Sequence, residues 1–268
     1  MNKNLKSALR YLMPRSIRDH RILGGALRGF HIYTSWHDYP GAILGRTERP
    51  LLEWFSKNVG PGETWLDIGS HYGYTALALS RLVGTSGRVF AFEPMLSTAG
   101  YLAQTRLLNR FPQMIVIPMA LGTPDTVRLG ELPAVRGMLD STLVDHPCAE
   151  AFLLTRLDWL WPQISGKQER IHGVKIDVQG MEIEVLRGMT NLLETFRPKL
   201  AVEFHHGVAR KDLISLLDAA GYSPKGVPIE PLDEEDEPQY IDDRSYAFQA
   251  STTAAQASRI VGCEQAHV

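Results

Sequence analysis

The sequence has little cysteine. Cys148 and Cys263 are the two in 268 residues, and they lie far apart. That excludes a disulfide framework and a cysteine zinc site, and it fits a reducing, cytoplasmic setting. Long apolar runs are also missing: none reaches the roughly 18 residues that span a bilayer. The opening stretch "MNKNLKSALRYLMPRSIRDHR" has neither an extended apolar core nor a small-residue cleavage site, so it reads as neither signal peptide nor anchor. Charge of one sign is scarce as well. The formal net charge is -2, which implies no global pull toward nucleic acid.

What is present suits an ordinary globular chain: 44% hydrophobic and 22% charged residues, enough to bury a real core. Three zones are expected. Residues 1–45 form a helical and irregular extension whose basic residues alternate with Leu, Tyr and Ile. This stretch reads first as a solvated capping helix and second as a peripheral membrane contact. Residues 46–249 form the main domain. Residues 250–268 are small and polar, as in a flexible tail.

The middle zone alternates short apolar strands with helices. The strands expected are "TWLDI", "RVFAFE", "QMIVIPMA", "HGVKIDV", "RPKLAVEFH" and "SYAFQA". The helices expected are "PLLEWFSKNV", "YTALALSRLV", "LSTAGYLAQTRLLNRF" with Ser97 as its cap, "LDWLWPQI", a single helix over "MEIEVLRGMTNLLE", and "RKDLISLLDAAG". "TVRLGEL" reads as one arm of a hairpin. This order predicts an α/β fold with a mostly parallel, doubly wound sheet and helices on both faces. Ligands of such sheets bind beyond the carboxyl ends of the strands, so polar residues at strand ends are the candidates.

"WLDIGSHYGYTALAL" supplies the first set. A strand ends at Asp67, turns through Gly69, Ser70, His71 and Gly73, and enters a helix. Glycine lets the backbone turn tightly and approach a ligand, and the helix start adds free N–H groups. The next strand ends at Glu93-Pro94, about 20 residues on, where a carboxylate can accept both ribose hydroxyls. A pyrophosphate needs glycine where His71 stands, and no lysine is nearby to bind phosphate. A nucleoside without phosphate fits better, and S-adenosylmethionine is such a ligand.

The stretches "WLDIGSHYGYTALAL", "VFAFEP", "MALG", "TRLDWL", "VKIDVQGMEIEVLRGM" and "LAVEFH", running from about Glu63 to His205, resemble the FkbM family of S-adenosylmethionine-dependent methyltransferases. The family belongs to the Rossmann-like class I methyltransferases. Its usual form near K-I-D-V-E-G-x-E-x-x-V-L-x-G makes the fifth stretch the most specific. The resemblance implies O-methylation of a sugar, glycolipid or polyketide-like metabolite, and it places Met119, Ala120 and Leu121 against the adenine. This chain departs from the family's common Ala-Asn at Ser70-His71 and from its glutamate at Gln179. Asn and His both tolerate positive φ, so the turn is expected to survive.

Asp177 and Glu203 sit at the ends of the fourth and fifth strands, and His205 and His206 follow. Hydroxyl methylation needs the acceptor in line with the methyl and its proton removed. His205 is the better candidate for the base, in phase with Glu203. Asp177, Glu203 and His205 could instead hold a divalent cation, although no motif indicates one. Simpler roles stand beside these: Asp177 as partner of Lys175, Glu182 as a first-turn acid, Glu93 as a helix cap. Trp36, His37, Asp38 and Tyr39 read as a packed aromatic plug or as an acceptor lid, and "IEPLDEEDEPQYIDD" as a solvated loop. Two other classes compete with the transferase. A cofactor-binding scaffold that has lost its chemistry is favoured by His71 and Gln179. A nicotinamide-dependent dehydrogenase is disfavoured by the first loop. An RNA methyltransferase is disfavoured by the charge. The acceptor and the oligomeric state are not legible.

Overall fold

A computed structural model describes residues 13–135, 138–139, 149–166, 169–231 and 237–251. The expected N-terminal helix lies largely outside the described residues, and so do both cysteines, most of the tail and part of the acidic run. The chain opens with a hairpin of β1 (Arg18–Arg21) and β2 (His31–Thr34), then α1 (Pro40–Leu44) and α2 (Arg49–Asn58). The alternating section follows as β3 (Thr64–Ile68), α3 (Tyr74–Val83), β4 (Arg88–Phe92), α4 (Leu96–Leu108) and β5 (Met114–Ile117). A smaller sheet comes next, from β6 (Ala120–Leu121), β7 (Arg128–Val135), β8 (Met138–Leu139) and β9 (Ala149–Thr155). The remainder is α5 (Leu157–Ile164), β10 (Gly173–Ile176), α6 (Glu182–Arg187), α7 (Thr190–Phe196), β11 (Lys199–Phe204), α8 (Arg210–Ala219), β12 (Val227–Pro228) and β13 (Arg244–Phe248).

The main sheet has the order β12-β13-β11-β10-β3-β4-β5. The five strands from β11 to β5 are parallel, and β13 runs antiparallel to β11. The chain moves outward from β3 to β5 and returns to the other side of β3 at β10. The switch point therefore falls between β3 and β10, where such folds open a crevice.

Strand pleat divides the core in two. Leu66, Ile68, Phe90, Phe92, Val174 and Ile176 face α5, α6, α7 and α8. Trp65, Val89, Ala91 and Ala201 face α2, α3 and the N-terminal hairpin. Side chains alternate across a sheet with period two, so "TWLDI" must send Asp67 to the same face as Trp65. Lys175 pairs in register with Asp67 on that face. Each fully buried Leu, Ile or Phe in these layers contributes about 1.5–3 kcal/mol. Gly173 lies opposite Trp65, and a Cβ there would meet the indole at 2.3 Å, so this glycine makes room for the ring.

Three local expectations differ from the structure. "MEIEVLRGMTNLLE" forms two helices, α6 and α7, broken at Gly188. A Cβ on Gly188 would lie 2.1 Å from the Gly122 carbonyl, so only glycine lets the two backbones approach there. Asp158, in the first turn of α5, also accepts the Asn191 and Leu192 N–H groups at the start of α7. Ser97 does not cap α4: Met95 takes the cap position, and its N–H goes to Glu93. "QMIVIPMA" also divides, its last part becoming β6 of the smaller sheet, paired with β9. The extension is integrated with the domain, since Ile22, Leu27 and Ile32 are buried in its core. Backbone pairing continues to Ser251, whose N–H donates to Gly221.

Candidate active site

The turn after β3 is held by backbone hydrogen bonds to the end of β4. Gly69 and Ser70 both donate N–H to the Phe92 carbonyl, at 3.0 and 2.9 Å. Gly69 has φ +79, and a Cβ on it would sit 1.8 Å from the Asp177 carbonyl. Only glycine fits, so the turn can cross the end of β10. His71 takes φ 49, a left-handed conformation histidine tolerates. Its ring packs against Tyr39 and Tyr72, with centroids at 5.1 and 4.2 Å.

A cavity of about 300 Å³ opens over these strand ends. Gly69, Ser70 and His71 form one wall, and Glu93 and Pro94 another. Met119, Ala120 and Leu121 join Ile68 and Phe92 as an apolar side. Asp38 and Tyr39 of the N-terminal zone also reach it, whereas Trp36 and His37 are not in its lining. A second cavity, about 170 Å³, is bounded by Glu230, Asp243, Arg244 and Ser245. Glu48 and Glu203 belong to the walls of both cavities.

Glu93 is 4% exposed. Its Oε1 accepts the Met95 N–H at 3.0 Å and its Oε2 the His71 N–H at 2.9 Å. Burial pushes its carboxyl up to about 7, against the lowering pull of those two N–H donors. The helix-cap role and the cavity role therefore coincide in one side chain.

Three of the candidate residues stand elsewhere than their strand-end positions suggested. Asp67 is fully buried beneath the turn and does not line the cavity. It accepts the Thr75 hydroxyl at 2.7 Å and pairs with Lys175 at 3.3 Å. Gly73 caps α3, and a Cβ there would lie 2.3 Å from the Leu102 side chain, so it serves the contact with α4. His205 lies outside the lining, behind Asp177, Gln179 and Glu203. His206 is exposed and pairs with Asp242.

Behind the wall, His205 Nδ1 lies 2.7 Å from Glu182 Oε1. His205 Nε2 faces Gln179 Nε2 at 2.9 Å, Asp177 Oδ1 at 3.4 Å and Glu203 Oε1 at 3.6 Å. Burial opposes a charge on this imidazole, but its hydrogen bond to Glu182 and the Asp177 carboxylate raise it to about 9. Burial and the neighbouring Asp177 charge push Glu203 up to about 8. Burial would also raise Asp177, yet Lys175 and His205 beside it hold it below the ordinary carboxylate range. Lys175 donates to the Gly69 carbonyl at 2.8 Å and pairs with Asp177 at 3.2 Å, tying the turn to β10.

Sequence reasoning missed Glu48 and gave Lys175 and Glu182 only minor roles. Glu48 had one local signal, its place just before Arg49-Pro50 at a helix start. Nothing local points it toward Glu203. Asp177, Glu203 and His205 each offer a ligand atom, and these atoms lie within 4.8 Å of one another.

S-adenosylmethionine fits the residues present: a glycine cradle with no room for a side chain, a buried carboxylate at the β4 end and a flat apolar wall. Residues 152–224 match the Methyltransferase FkbM domain. The chain is 30% identical over 181 residues to the hexuronic acid methyltransferase AglP of Haloferax volcanii, covering 66% of this chain and 71% of that protein. Similar solved structures include the methyltransferase FkbM of Methylobacillus flagellatus KT, at 15% identity, TM-score 0.46, 74% of this chain and 50% of that one. Another is Aeropyrum pernix fibrillarin with natively bound S-adenosyl-L-methionine, at 16% identity, TM-score 0.48, 88% of this chain and 89% of that one. The protein is a class I S-adenosylmethionine-dependent methyltransferase of Rossmann-like fold. Within that class, the chain belongs to the FkbM methyltransferase family. Among the described residues, no helix is long and apolar enough to cross a membrane.

Proposed function

We propose that this methyltransferase modifies a hydroxyl oxygen of a sugar or glycolipid, with polyketide-like metabolites in the same acceptor class. The observation that carries this reading is that two adjacent cavities share Glu48 and Glu203 in their walls. The larger holds the glycine turn and Glu93. The smaller is bordered by carboxylates, Arg244 and Ser245, groups that suit a polyhydroxylated ring. The name of the Haloferax relative, a hexuronic acid methyltransferase, supports a sugar acceptor.

Bound S-adenosylmethionine supplies an electrophilic methyl group. The chain's part is positioning and proton management. Each Glu93 oxygen already accepts one N–H, and an ionised carboxylate has about four acceptor sites. Two remain for the ribose hydroxyls. Phe92, Met119 and Leu121 give the adenine an apolar bed. Asp177, in the wall of the larger cavity, and Glu203, in the walls of both, hold the acceptor hydroxyl in line, and orientation of this kind removes much of the barrier. With no cation bound, Glu203 is the group that takes the hydroxyl proton. His205 acts through these carboxylates, as a positioning residue.

Methyl transfer from isotope-labelled cofactor to a panel of neutral glycans, hexuronates and glycolipids tests this. The expected product carries the label in an alkali-stable ether. Label found only on nitrogen or carbon acceptors would refute it.

A further inference from the structure

We infer that Asp177, Glu203 and His205 hold a divalent cation that receives the acceptor's oxygens. The inference rests on the hydroxyl-acceptor reading and sharpens it.

The first observation is convergence. His205 Nε2 stands 3.4 Å from Asp177 Oδ1 and 3.6 Å from Glu203 Oε1. Ligand atoms at right angles around a cation, each bonded at about 2.1 Å, lie about 3 Å apart. Shifts of roughly half an ångström would bring these two pairs to that spacing, and all three ligand atoms lie within 4.8 Å of one another.

The second observation is independent of the three ligands. Each has its far atom held by a residue outside the set. Glu182 takes His205 Nδ1 at 2.7 Å, Lys175 takes Asp177 Oδ2 at 3.2 Å, and the Ser245 hydroxyl donates to Glu203 Oε2 at 3.4 Å. Metal-bound imidazoles are typically oriented in this way, the second nitrogen donating to a carboxylate, and ligating carboxylates are themselves hydrogen-bonded. His205 Nε2 faces two carboxylate oxygens, an arrangement that calls for a proton or a cation between them.

The third is charge. Glu182 is fully buried, and its Oε2 has no hydrogen-bond partner. Among the described residues, the four carboxylates Asp67, Asp177, Glu182 and Glu203 share this region with two basic side chains, Lys175 and His205. A divalent cation offsets that excess. Two carboxylates and one imidazole suit Mn2+ or Mg2+ more than a thiolate-seeking metal. Asp177 and Glu203 line the cavity, so the open positions face the acceptor. Gln179, now against His205 Nε2, either moves aside or turns its carbonyl to the cation.

The acceptor class follows: a vicinal diol, or a hydroxyl beside a carboxylate, able to occupy two open positions. The cation lowers the hydroxyl's pKa. In the transfer the methyl–sulfur bond breaks with its electron pair left on sulfur, the carbon–oxygen bond forms, and the hydroxyl proton passes to water. Glu203 then holds the cation rather than the proton.

Mn2+ titration of the full chain, followed by electron paramagnetic resonance, tests the site without any turnover. One Mn2+ per chain is expected. E182Q should weaken it about 10–100-fold while leaving cofactor affinity unchanged. D177N and E203Q should weaken it further. Circular dichroism and thermal melts check that each variant is folded. No Mn2+ or Mg2+ binding at millimolar concentration, or equal binding by wild type and E203Q, overturns the inference. So does full transfer by chelator-treated protein, which would leave the hydroxyl reading standing. Site-specific Mn2+ binding with no transfer to any hydroxyl acceptor would support the cation site and sink the hydroxyl reading instead.

Discussion

Glu93 gives the sharpest quantitative prediction. Its carboxyl is buried at the end of β4, and burial raises it to about 7 from 4.5. To accept two ribose hydroxyls it must be ionised. Affinity for S-adenosylmethionine should therefore be flat above pH 7 and fall below it. At pH 6 the free protein is about ten parts protonated to one ionised, a loss of about tenfold, or ~1.4 kcal/mol. The fall continues at about tenfold per pH unit until the pH reaches the lower value Glu93 has once the ribose donates to it. Calorimetry between pH 5.5 and 8, in buffers of different ionisation enthalpy, reads both the affinity and the proton released on binding. The cofactor's own amino group titrates too, so E93Q is the control: it keeps the ligand's titration and loses the protein's. The difference between wild type and E93Q should be largest at pH 8 and shrink toward pH 6. A difference that stays constant across the range, or an E93Q affinity equal to wild type at pH 8, would refute the reasoning.

Other substitutions read the scaffold. G69A places a Cβ 1.8 Å from the Asp177 carbonyl at φ +79. Strain and clash should cost at least about 2 kcal/mol in denaturant unfolding and abolish cofactor binding. K175M leaves Asp67 buried without its cation and should cost about 3–5 kcal/mol. Part of that loss should return as pH falls, because a buried carboxylate raised by desolvation is less costly when protonated; pH-independent destabilisation would count against this. H71N should keep the left-handed turn within about 1 kcal/mol, whereas H71V should cost about 1–2 kcal/mol, measured by thermal melts. G173A drives a methyl into the Trp65 ring and should cost about 1–3 kcal/mol through overpacking.

How much was legible depended on range. "TWLDI", "RVFAF" and "KLAVEF" announced themselves because short apolar runs bounded by turn residues are local signals. So did the turn at Gly69, the carboxylate at Glu93 and the strand-end acids Asp177 and Glu203. Local rules failed where a distant backbone decided. The helix after Gln179 ends at Gly188, and the next begins where the distant Asp158 accepts the Asn191 and Leu192 N–H groups. Ser97 lost its capping role to a carboxylate whose other oxygen serves the neighbouring turn.

The sequence by itself determined the alternating strand and helix order, the parallel sheet and the family. Those follow from periodicity, punctuation and motif spacing along the chain. Only the tertiary structure decided which polar strand-end residues face the cavity. Pleat and register turned Asp67 toward Lys175 and away from the ligand space. The return of the chain to β10 beside β3 brought Glu48, Glu182, Glu203 and His205 together from segments far apart in sequence. A carboxylate's chemistry depends on the charges and burial within a few ångströms of it, and strand order fixes those neighbours.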